Sequence, residues 1–398
     1  MIKPAIAGGI PIRNKFLVFG QPMVFQEEIK EVLETLRSGW WGTGPKTKLL
    51  EKKFCHYKNC RYAVALNSCT AALHLALNVL GIGPDDEVIT TPLTFAATAN
   101  VIIHCGAKPV FADINKKTWN IDPWEIEKKI TKKTKAIIPV HLHGRPCQMD
   151  QIIKLAKKYK LFIVEDAAHA VEAKYKGKKI GSIGHFTAFS FYATKNMATG
   201  EGGMLTTNNK NWAEQARIRS LHGISKDAWK RYSSAGFQAY EVLYPGFKYN
   251  MMDLQAAIGI PQLTRLEKNF SLRKKYWQIY QSELANIKQI ILPQPEEPQT
   301  RHARHLFAIL IKPEMLKINR NQFVQALIAE NIGSGIHFMA LHLQKYYKNT
   351  FGYKKGDYPN AEFVSERILS LPLSPQMTVE EVKQVINAVK KIIQYYQR

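Results

Sequence analysis

The sequence has 398 residues, of which 45% are hydrophobic and 22% charged, and this profile is that of a globular chain long enough for two domains. It contains no run of about 18 consecutive apolar residues, so we expect no membrane-spanning helix. Residues 1–9 lack the hydrophobic core and cleavage site of a signal peptide, and we therefore expect a cytoplasmic protein without a membrane partner.

The net charge of +24, from 56 Lys and Arg against 32 Asp and Glu, first suggests a polyanionic partner such as nucleic acid. The lysines are dispersed, however, in pairs such as Lys116–Lys117 and Lys390–Lys391, which are typical of solvated helix faces. The sequence has neither a basic stripe interleaved with aromatic residues nor a helix-turn-helix or zinc-finger pattern. We interpret the charge as a bias of composition that also attracts a nucleotide pyrophosphate, and we expect no nucleic-acid partner.

The five cysteines, at positions 55, 60, 69, 105 and 147, are an odd set without the spacing of a metal site. Cys55, His56 and Cys60 lie close together in the sequence, but no second ligand pair follows at a distance usual for zinc. We therefore expect free, buried thiols and no metal.

In chain order, two helices are predicted at about residues 24–37 and 46–56. They precede Asn67–Leu77, in which small hydroxylated residues lead into a strongly apolar helical pattern. Ser68 and Thr70 lie at the start of this helix, where free backbone N–H groups and the helix dipole attract a phosphate. An ordinary N-terminal cap explains the same pattern.

Short apolar runs then alternate with helical segments, which is the pattern of βαβ units in a mainly parallel sheet. The runs are Glu87–Thr90, Pro109–Ala112, Lys135–Val140, Leu161–Glu165 and Thr187–Tyr192. Asp166 directly follows the fourth run, so its carboxylate is expected at the C-terminal edge of the sheet, where such sheets bind their ligands. An aspartate at this edge can keep a pyridinium nitrogen protonated, and His169 can contact the same ring.

Lys195 follows the fifth run, where the apolar sequence gives way to a glycine-rich stretch at residues 200–203. Glycines at this density are used where the backbone turns sharply. A lysine held at such a junction is partly desolvated, which lowers its pKa and frees the amine as a nucleophile for an aldehyde. The alternative is an ordinary surface lysine. A phosphate cup, a strand-end aspartate and a strand-end lysine, in that order, together indicate a pyridoxal-phosphate site.

The second half of the chain begins with a helix at about residues 252–283, which we expect to link two domains. A strand at Leu306–Ile311, a helix near residues 320–330 and a final amphipathic helix indicate a smaller α/β unit. We therefore predict an α/β fold, with a large domain at residues 1–260 and a smaller C-terminal domain at residues 261–398.

Several segments resemble the DegT/DnrJ/EryC1/StrS family of sugar aminotransferases, which have the fold-type-I architecture of pyridoxal-phosphate enzymes. The resemblance extends from residues 8–13 to the last helix and so covers nearly the whole chain. Besides the three pieces above, the matching segments are Ser38–Pro45, Thr91–Phe95, Gly246–Asp253 and Gly335–Phe338. It implies a large, mainly parallel sheet domain that binds the cofactor and a smaller C-terminal α/β domain.

The resemblance also implies roles for individual residues. Lys195 matches the lysine that forms the Schiff base with the cofactor and carries the proton, and Asp166 matches the partner of the pyridine nitrogen. His169 takes the place of a residue near the ring hydroxyl, and Phe95 that of an aromatic ring stacked on the cofactor.

The phosphate ligands that the resemblance implies are Ser68, the amides of Cys69 and Thr70, and Ser190. Cys69 replaces a glycine often found at this place, and the change matters little because the backbone N–H is the ligand. Asn250 matches a residue that reaches the phosphate from the second subunit, which implies a homodimer with shared active sites. The alternative is that Asn250 caps the helix that begins near Met252.

An aminotransferase of this kind moves an amino group from glutamate to a nucleotide-linked keto-sugar, releases 2-oxoglutarate, and cycles its cofactor between pyridoxal phosphate and pyridoxamine phosphate. The segments Trp40–Gly44 and Gly335–Phe338 resemble relatives that aminate C4 of UDP-4-keto sugars for lipopolysaccharide or other glycans. Trp41 and His337 are accordingly expected to contact the substrate. The nucleotide base and the choice between C3 and C4 stay open.

A non-catalytic regulator or sensor that merely holds the cofactor is the alternative function for a chain of this resemblance. An intact Lys195, with Asp166 and the phosphate cup, favours catalysis. Lysine at this position also argues against the dehydratase branch of the family, which has histidine there.

Overall fold

The computed structural model of the protein describes residues 2–225 and 240–398. The α-helices in these ranges are α1 (Gln26–Ser38), α2 (Pro45–Lys58), α3 (Cys69–Val79), α4 (Ala96–His104), α5 (Pro123–Lys129), α6 (Met149–Tyr159), α7 (Lys210–Arg219), α8 (Asp253–Leu284), α9 (Arg320–Ala329), α10 (Lys345–Phe351), α11 (Pro359–Arg367) and α12 (Val379–Tyr396). The strands are β1 (Tyr62–Leu66), β2 (Glu87–Thr90), β3 (Lys108–Phe111), β4 (Thr134–Ile138), β5 (Phe162–Asp166), β6 (Lys174–Tyr175), β7 (Lys178–Lys179), β8 (Phe186–Ser190), β9 (Gly203–Thr207), β10 (Ile290–Ile291), β11 (Phe307–Ile311) and β12 (Ile368–Leu371).

A seven-stranded sheet forms the centre of the larger unit, in the order β1-β9-β8-β5-β4-β2-β3. Strands β2, β3, β4, β5 and β8 pair in parallel, whereas β9 runs antiparallel to both β8 and β1. The predicted α/β fold with a mainly parallel sheet is therefore confirmed, and the five predicted strands lie within two residues of the observed ones. Strands β1 and β9 were not among the predicted ones.

The parallel direction of the strands determines where a ligand can bind. Parallel strands end at one edge of a sheet, so the segments after β2, β5 and β8 all open on the same side. The N-terminus of α3 lies at this edge as well, because Gly203 of β9 approaches Ser68 so closely that a side chain on Gly203 would overlap the Ser68 carbonyl, at 2.4 Å. The chain thereby collects four loop or helix ends on one side of the sheet.

Helix α8 joins the two units, as its sequence predicts. Its first part packs Ile260 and Leu266 into the core of the large sheet, and its last part packs Tyr280 and Leu284 against the smaller unit. The predicted boundary between residues 260 and 261 falls inside this helix. The division of the chain into domains at that point stays a prediction.

The smaller unit contains the antiparallel sheet β10-β11-β12, covered by α9 and α12. The apolar residues that recur along the last helix are all buried, as expected: Val382, Val385, Ile386, Val389, Ile392 and Ile393. The N-terminal segment also lies on this unit, since the amides of Ala5 and Ile12 donate to Glu330 and Leu17 pairs with Ile332.

Within the described ranges, no helix is long and apolar enough to cross a membrane.

Candidate active site

Lys195 lies in the turn that follows β8, where its amide donates to the Tyr192 carbonyl at 2.8 Å. The side chain is half-buried, and this burial lowers the pKa of Lys195 to about 8, although Cys69 and Asp166 act in the opposite direction. The amine has no hydrogen-bond or ion-pair partner among the residues that the structure describes. About a tenth of this unpartnered amine is thus neutral at pH 7, and the neutral fraction rises steeply above that pH.

Asp166 is the last residue of β5 and is buried at the sheet edge. One carboxylate oxygen accepts the Thr98 hydroxyl at 2.7 Å, and the other accepts the Ala168 amide at 3.1 Å. Burial raises the pKa of Asp166, while these hydrogen bonds and the nearby Lys195 oppose the rise. Two donors leave acceptor capacity on the carboxylate, so a cationic N–H can still be bound.

The predicted phosphate ligands come together at the start of α3. Ser68 is the N-cap of this helix, and its hydroxyl accepts the Ala71 amide at 3.0 Å. Ser190 pairs with Gly203, the residue that packs against the Ser68 carbonyl, so both serines lie beside one glycine. The cap geometry and the phosphate cup are compatible, since helix N-termini retain further free N–H groups.

The next two residues of the cup differ in accessibility. Cys69 is buried, and burial raises the pKa of its thiol well above the usual value, so the thiol is neutral. Thr70 is exposed and can present both its amide and its hydroxyl. That Cys69 contributes its backbone N–H to a phosphate stays a prediction.

His169 belongs to a cluster of buried rings. Its Nδ1 accepts the backbone amide of His143 at 3.2 Å, so the neutral ring carries its proton on Nε2. The ring centroid lies 4.5 Å from that of His305 and 5.8 Å from that of Phe338. Burial lowers the pKa of His169 well below its usual value, with smaller contributions from Lys195 and the neighbouring histidines.

Phe95 immediately precedes α4 and is 62% exposed. Thr98, one turn further along that helix, is the residue that binds Asp166, so Phe95 lies at the same edge of the sheet. Its ring is 5.9 Å from that of Phe338, on the smaller unit. An exposed ring at this place is free to stack on a planar ligand, and this role stays a prediction.

His337 faces the same cleft as Lys195, between the two units and the N-terminal segment. Its Nδ1 lies 3.0 Å from the Ser370 hydroxyl, its ring stacks on Phe19 at 5.4 Å, and its carbonyl lies 2.7 Å from His143 Nε2. Burial lowers the pKa of His337 to about 3, so the ring is neutral. The predicted substrate contact thus has a fixed ring orientation.

The segments that contain Trp41 and Asn250 meet at Asp253, the first residue of α8. The Asp253 carboxylate accepts the amides of Gly44 and Thr47, at 2.8 and 2.9 Å, and so stabilises the N-terminus of α2. The Trp41 carbonyl in turn accepts the Asp253 amide at 3.1 Å, while the Trp41 ring is 54% exposed. Two motifs far apart in the sequence therefore form one surface.

Asn250 does not cap α8, and that alternative is wrong. Met252 is the N-cap of the helix, whereas the Asn250 side chain donates to Thr43 and accepts from Lys248, both at 2.7 Å. The backbone of Asn250 pairs with Leu66, close to the phosphate cup of its own chain. Whether the side chain serves the partner subunit stays a prediction.

Asn196 connects the lysine turn to its surroundings, which the sequence alone did not indicate. Its Nδ2 donates to Glu172 at 2.8 Å, and its Oδ1 lies 2.9 Å from His305 Nδ1. The only available signal was its position directly after Lys195. Thr98, His143 and His305 were also missed, because their partners are distant in the sequence.

The arrangement fits pyridoxal phosphate. The unpartnered amine of Lys195 suits an aldehyde, the buried carboxylate of Asp166 suits a protonated ring nitrogen, and the N-terminus of α3 suits a phosphate. No group of three His, Cys, Asp or Glu side chains that could hold a metal ion is found within residues 2–225 and 240–398. The five thiols are free, as expected, but only Cys69 and Cys147 are buried, the other three being partly exposed.

Comparison with known proteins shows the family to which the chain belongs. A family model described as the DegT/DnrJ/EryC1/StrS aminotransferase family matches residues 22–390. An uncharacterized protein of Methanocaldococcus jannaschii, MJ1066, is 55% identical over 96% of this chain and 99% of its own length. The spore coat polysaccharide biosynthesis protein SpsC of Bacillus subtilis is 51% identical over 96% of this chain and 98% of its own.

Among solved structures, Spr1654 of Streptococcus pneumoniae, which is regarded as a sugar aminotransferase, is similar in its pyridoxamine-phosphate form. The TM-score is 0.90 at 37% identity, over 95% of this chain and 99% of that one. The pyridoxal-phosphate form of the same protein gives a TM-score of 0.89 at 36% identity, over 96% and 99% of the two chains.

Proposed function

The chain belongs to the DegT/DnrJ/EryC1/StrS aminotransferase family and is a fold-type-I, pyridoxal-phosphate-dependent sugar aminotransferase, and from this premise we propose that it transfers the amino group of glutamate to a nucleotide-linked keto-sugar. The observation that carries the proposal is the unpartnered Lys195 amine, which opens on a cleft beside His337. None of the described residues that line this cleft is an aspartate or glutamate. Anionic substrates therefore meet no opposing carboxylate there.

Two residues of this chain have separate roles: Asp166 holds the ring of the cofactor, and Lys195 transfers protons. Bound pyridoxal phosphate supplies an electron sink, and Asp166 keeps its ring nitrogen protonated. Lys195, with its pKa lowered to about 8, accepts the proton from the α-carbon of glutamate. The same amine delivers a proton to the sugar carbon that receives nitrogen, and the face from which it does so sets the configuration of the product.

For the acceptor, we favour a UDP-4-keto sugar used for polysaccharide or lipopolysaccharide precursors. SpsC, at 51% identity, is a protein of spore coat polysaccharide biosynthesis, which supports a glycan product. The net charge of +24 favours a substrate that carries a pyrophosphate. His337 and the exposed Trp41 are the side chains that we expect to contact it, and we place the reaction in the cytoplasm.

Product analysis tests this proposal directly. The protein is incubated with ¹⁵N-glutamate and a small panel of nucleotide-linked 4-keto and 3-keto sugars, and the products are identified by mass spectrometry. We expect one amino sugar that carries ¹⁵N, together with 2-oxoglutarate. Amination of free keto-sugars but of no nucleotide-linked one would contradict the proposed acceptor, and incorporation from another amino acid but not glutamate would contradict the donor.

We further propose a homodimer in which Asn250 completes the phosphate site of the partner subunit. Its side chain lies in an outer segment that pairs with β1, the edge strand of the large sheet. Under this arrangement, mixing inactive Lys195→Ala subunits with inactive Asn250→Ala subunits restores activity, because each heterodimer contains one intact site. Since half of the randomly exchanged dimers are heterodimers with one intact site of two, about a quarter of wild-type activity is expected.

The control for this experiment is proof of subunit exchange, for example by native mass spectrometry of differently tagged chains. If Asn250 instead serves its own chain, every heterodimer has two damaged sites. A mixture that exchanges fully and stays as inactive as both parents therefore excludes the shared site.

A further inference from the structure

Helix α8 presents two buried polar residues, one turn apart, to the cleft that contains Lys195. These residues are Asn269 and Arg273, and both line the cleft. Because residues four apart share one face of a helix, the two side chains are neighbours. We propose that Asn269 and Arg273 form the subsite that binds a carboxylate of the amino donor. This inference rests on the proposed function, since it concerns the donor of the same reaction.

Arg273 has buried N–H donors that lack an acceptor. The side chain is 1% exposed, and its Nη2 pairs with the buried Glu172. Its Nη1 and Nε are buried and have no hydrogen-bond partner among the residues described. A guanidinium has five N–H donors, and buried donors without acceptors are costly in free energy. Unused donors in the wall of a cleft indicate that an acceptor is supplied by a ligand.

Asn269 adds a second, independent donor. It is 5% exposed and lines the cleft, and its side-chain amide makes no hydrogen bond within the part of the chain that the structure describes. Gln262, two turns earlier on α8, lines the same cleft but already donates to the Met23 carbonyl at 2.6 Å. The free donors on this face of the helix are therefore those of Asn269 and Arg273.

The charge of the cleft favours an anion, and the ion pair of Arg273 with Glu172 favours a carboxylate over a phosphate. Lys195 and Arg273 are cationic, and no carboxylate of the described residues lines the cleft. A planar guanidinium matches the two oxygens of a carboxylate. Glu172 already offsets part of the Arg273 charge, which suits a singly charged group better than a phosphate. The phosphate cup lies elsewhere, at Ser68.

The position next to Lys195 indicates that the bound carboxylate belongs to the amino donor. The donor has to bring its α-carbon to the lysine amine, so its carboxylates must bind within the same cleft. Asn196 follows Lys195 and donates to Glu172, the partner of Arg273. The Glu172 carboxylate thus contacts both the lysine turn and the proposed subsite, and it thereby fixes the position of the subsite relative to the Lys195 amine.

Binding of glutarate, a dicarboxylate that can neither donate nor accept an amino group, tests the subsite. Its dissociation constant is measured by calorimetry on the cofactor-loaded protein, for wild type, Asn269→Ala, Asn269→Asp and Arg273→Lys. We expect about tenfold weaker binding for Asn269→Ala and Arg273→Lys, and more than that for Asn269→Asp, which places a carboxylate against the ligand. Lys274→Ala, an exposed position on the same helix, is the matched control and should leave binding unchanged.

Steady-state kinetics provide a second readout. The KM for glutamate should rise in Asn269→Ala, while the KM for the sugar nucleotide stays within twofold. Since Asn269 makes no hydrogen bond within the described residues, this variant is expected to fold even where Arg273 variants do not. Circular dichroism checks this.

Three outcomes overturn the inference: wild type that does not bind glutarate, folded Asn269→Ala that binds it within twofold of wild type, or variants that lose affinity for UDP instead. The last result would assign the subsite to the nucleotide. Failure of the proposed function is distinguishable from these outcomes, because it appears as absence of ¹⁵N transfer from glutamate to any nucleotide-linked sugar, whereas glutarate binding reports on the carboxylate subsite alone.

Discussion

Two lysines of the same unit, Lys58 and Lys195, have similarly lowered pKa values and different surroundings. Burial lowers the pKa of Lys58 to about 7 and that of Lys195 to about 8. By this criterion alone Lys58 would be the better nucleophile. It lies at the end of α2, however, with its amine donating to the Val171 carbonyl at 2.8 Å and 4.6 Å from the ring centre of Phe189.

The difference lies in what each amine can reach. Lys58 is fully buried and its contacts are all with the protein, including Gly181, where a side chain would lie 2.7 Å from the lysine Cε. Lys195 is half-buried, has no partner among the described residues and opens on a cleft. Desolvation therefore does not by itself identify a catalytic lysine. An unpartnered amine with access for a ligand, next to a buried carboxylate, does so more reliably.

The largest expected effect is that of Lys195→Ala. The substitution removes both the nucleophile and the group that carries the proton, so turnover should be abolished. Product formation from glutamate and the preferred keto-sugar is the measurement, and the thermal midpoint should change little because the amine has no protein partner to lose. A residual kcat within tenfold of wild type would contradict the assignment.

The next effect in size concerns Asp166→Asn, which retains the shape and loses the charge. We expect kcat to fall on the order of 10²-fold or more, as for other preorganised groups whose charge stabilises a transition state. Cofactor absorbance shows whether binding persists. An unchanged rate would mean that another acid holds the ring nitrogen.

The place of both residues at the edge of the sheet was predicted from the sequence and is confirmed, whereas their roles stay predictions. The physical reason is local. Asp166 and Lys195 each follow an apolar run, and parallel strands bring their carboxyl ends to one edge. Helix α8, at Asp253–Leu284, was also predicted to within one residue at each end.

Strands β1 and β9 were missed for equally physical reasons. Strand β9 begins at Gly203, inside the glycine-rich stretch, where composition indicates a turn. It is antiparallel, and among the strands of the described sheet β1 pairs with β9 alone, so neither belongs to the βαβ pattern. Side-chain contacts such as Asn196 with His305 and His143 with the His337 carbonyl join residues more than 100 positions apart. No local sequence pattern indicates such pairs.

A smaller effect, about tenfold, is expected from pH. With a pKa of about 8, the neutral fraction of the Lys195 amine rises from about a tenth at pH 7 to about nine tenths at pH 9. The rate at which pyridoxal phosphate attaches to the cofactor-free protein should therefore rise about tenfold over this range and then level off. Absorbance of the lysine-bound cofactor follows the reaction.

The same pH series on Lys195→Ala provides the control, because any remaining signal comes from other lysines. Lys58 should not contribute, in spite of its lower pKa, since it is fully buried. A rate that keeps rising above pH 9 would show that the pKa of Lys195 is close to that of an ordinary lysine.

The smallest expected effect on turnover is that of Lys58→Met, which should leave kcat within twofold of wild type. The substitution instead affects stability, and the sign of the pH dependence of this effect follows from proton binding. Between pH 7 and pH 9 the unfolded chain keeps Lys58 protonated, near the usual pKa of 10.5, while the folded chain largely does not. The unfolded state then binds more protons, so raising the pH stabilises wild type through this group. Methionine cannot titrate, and wild type should gain stability relative to Lys58→Met as the pH rises from 7 to 9, as urea unfolding would show.

Two results would contradict this prediction. The first is a stability difference that shrinks or reverses between pH 7 and pH 9, and the second is a tenfold fall in turnover for a folded Lys58→Met protein. Either result would mean that Lys58 does not have the purely structural role that its contacts with Val171 and Phe189 indicate.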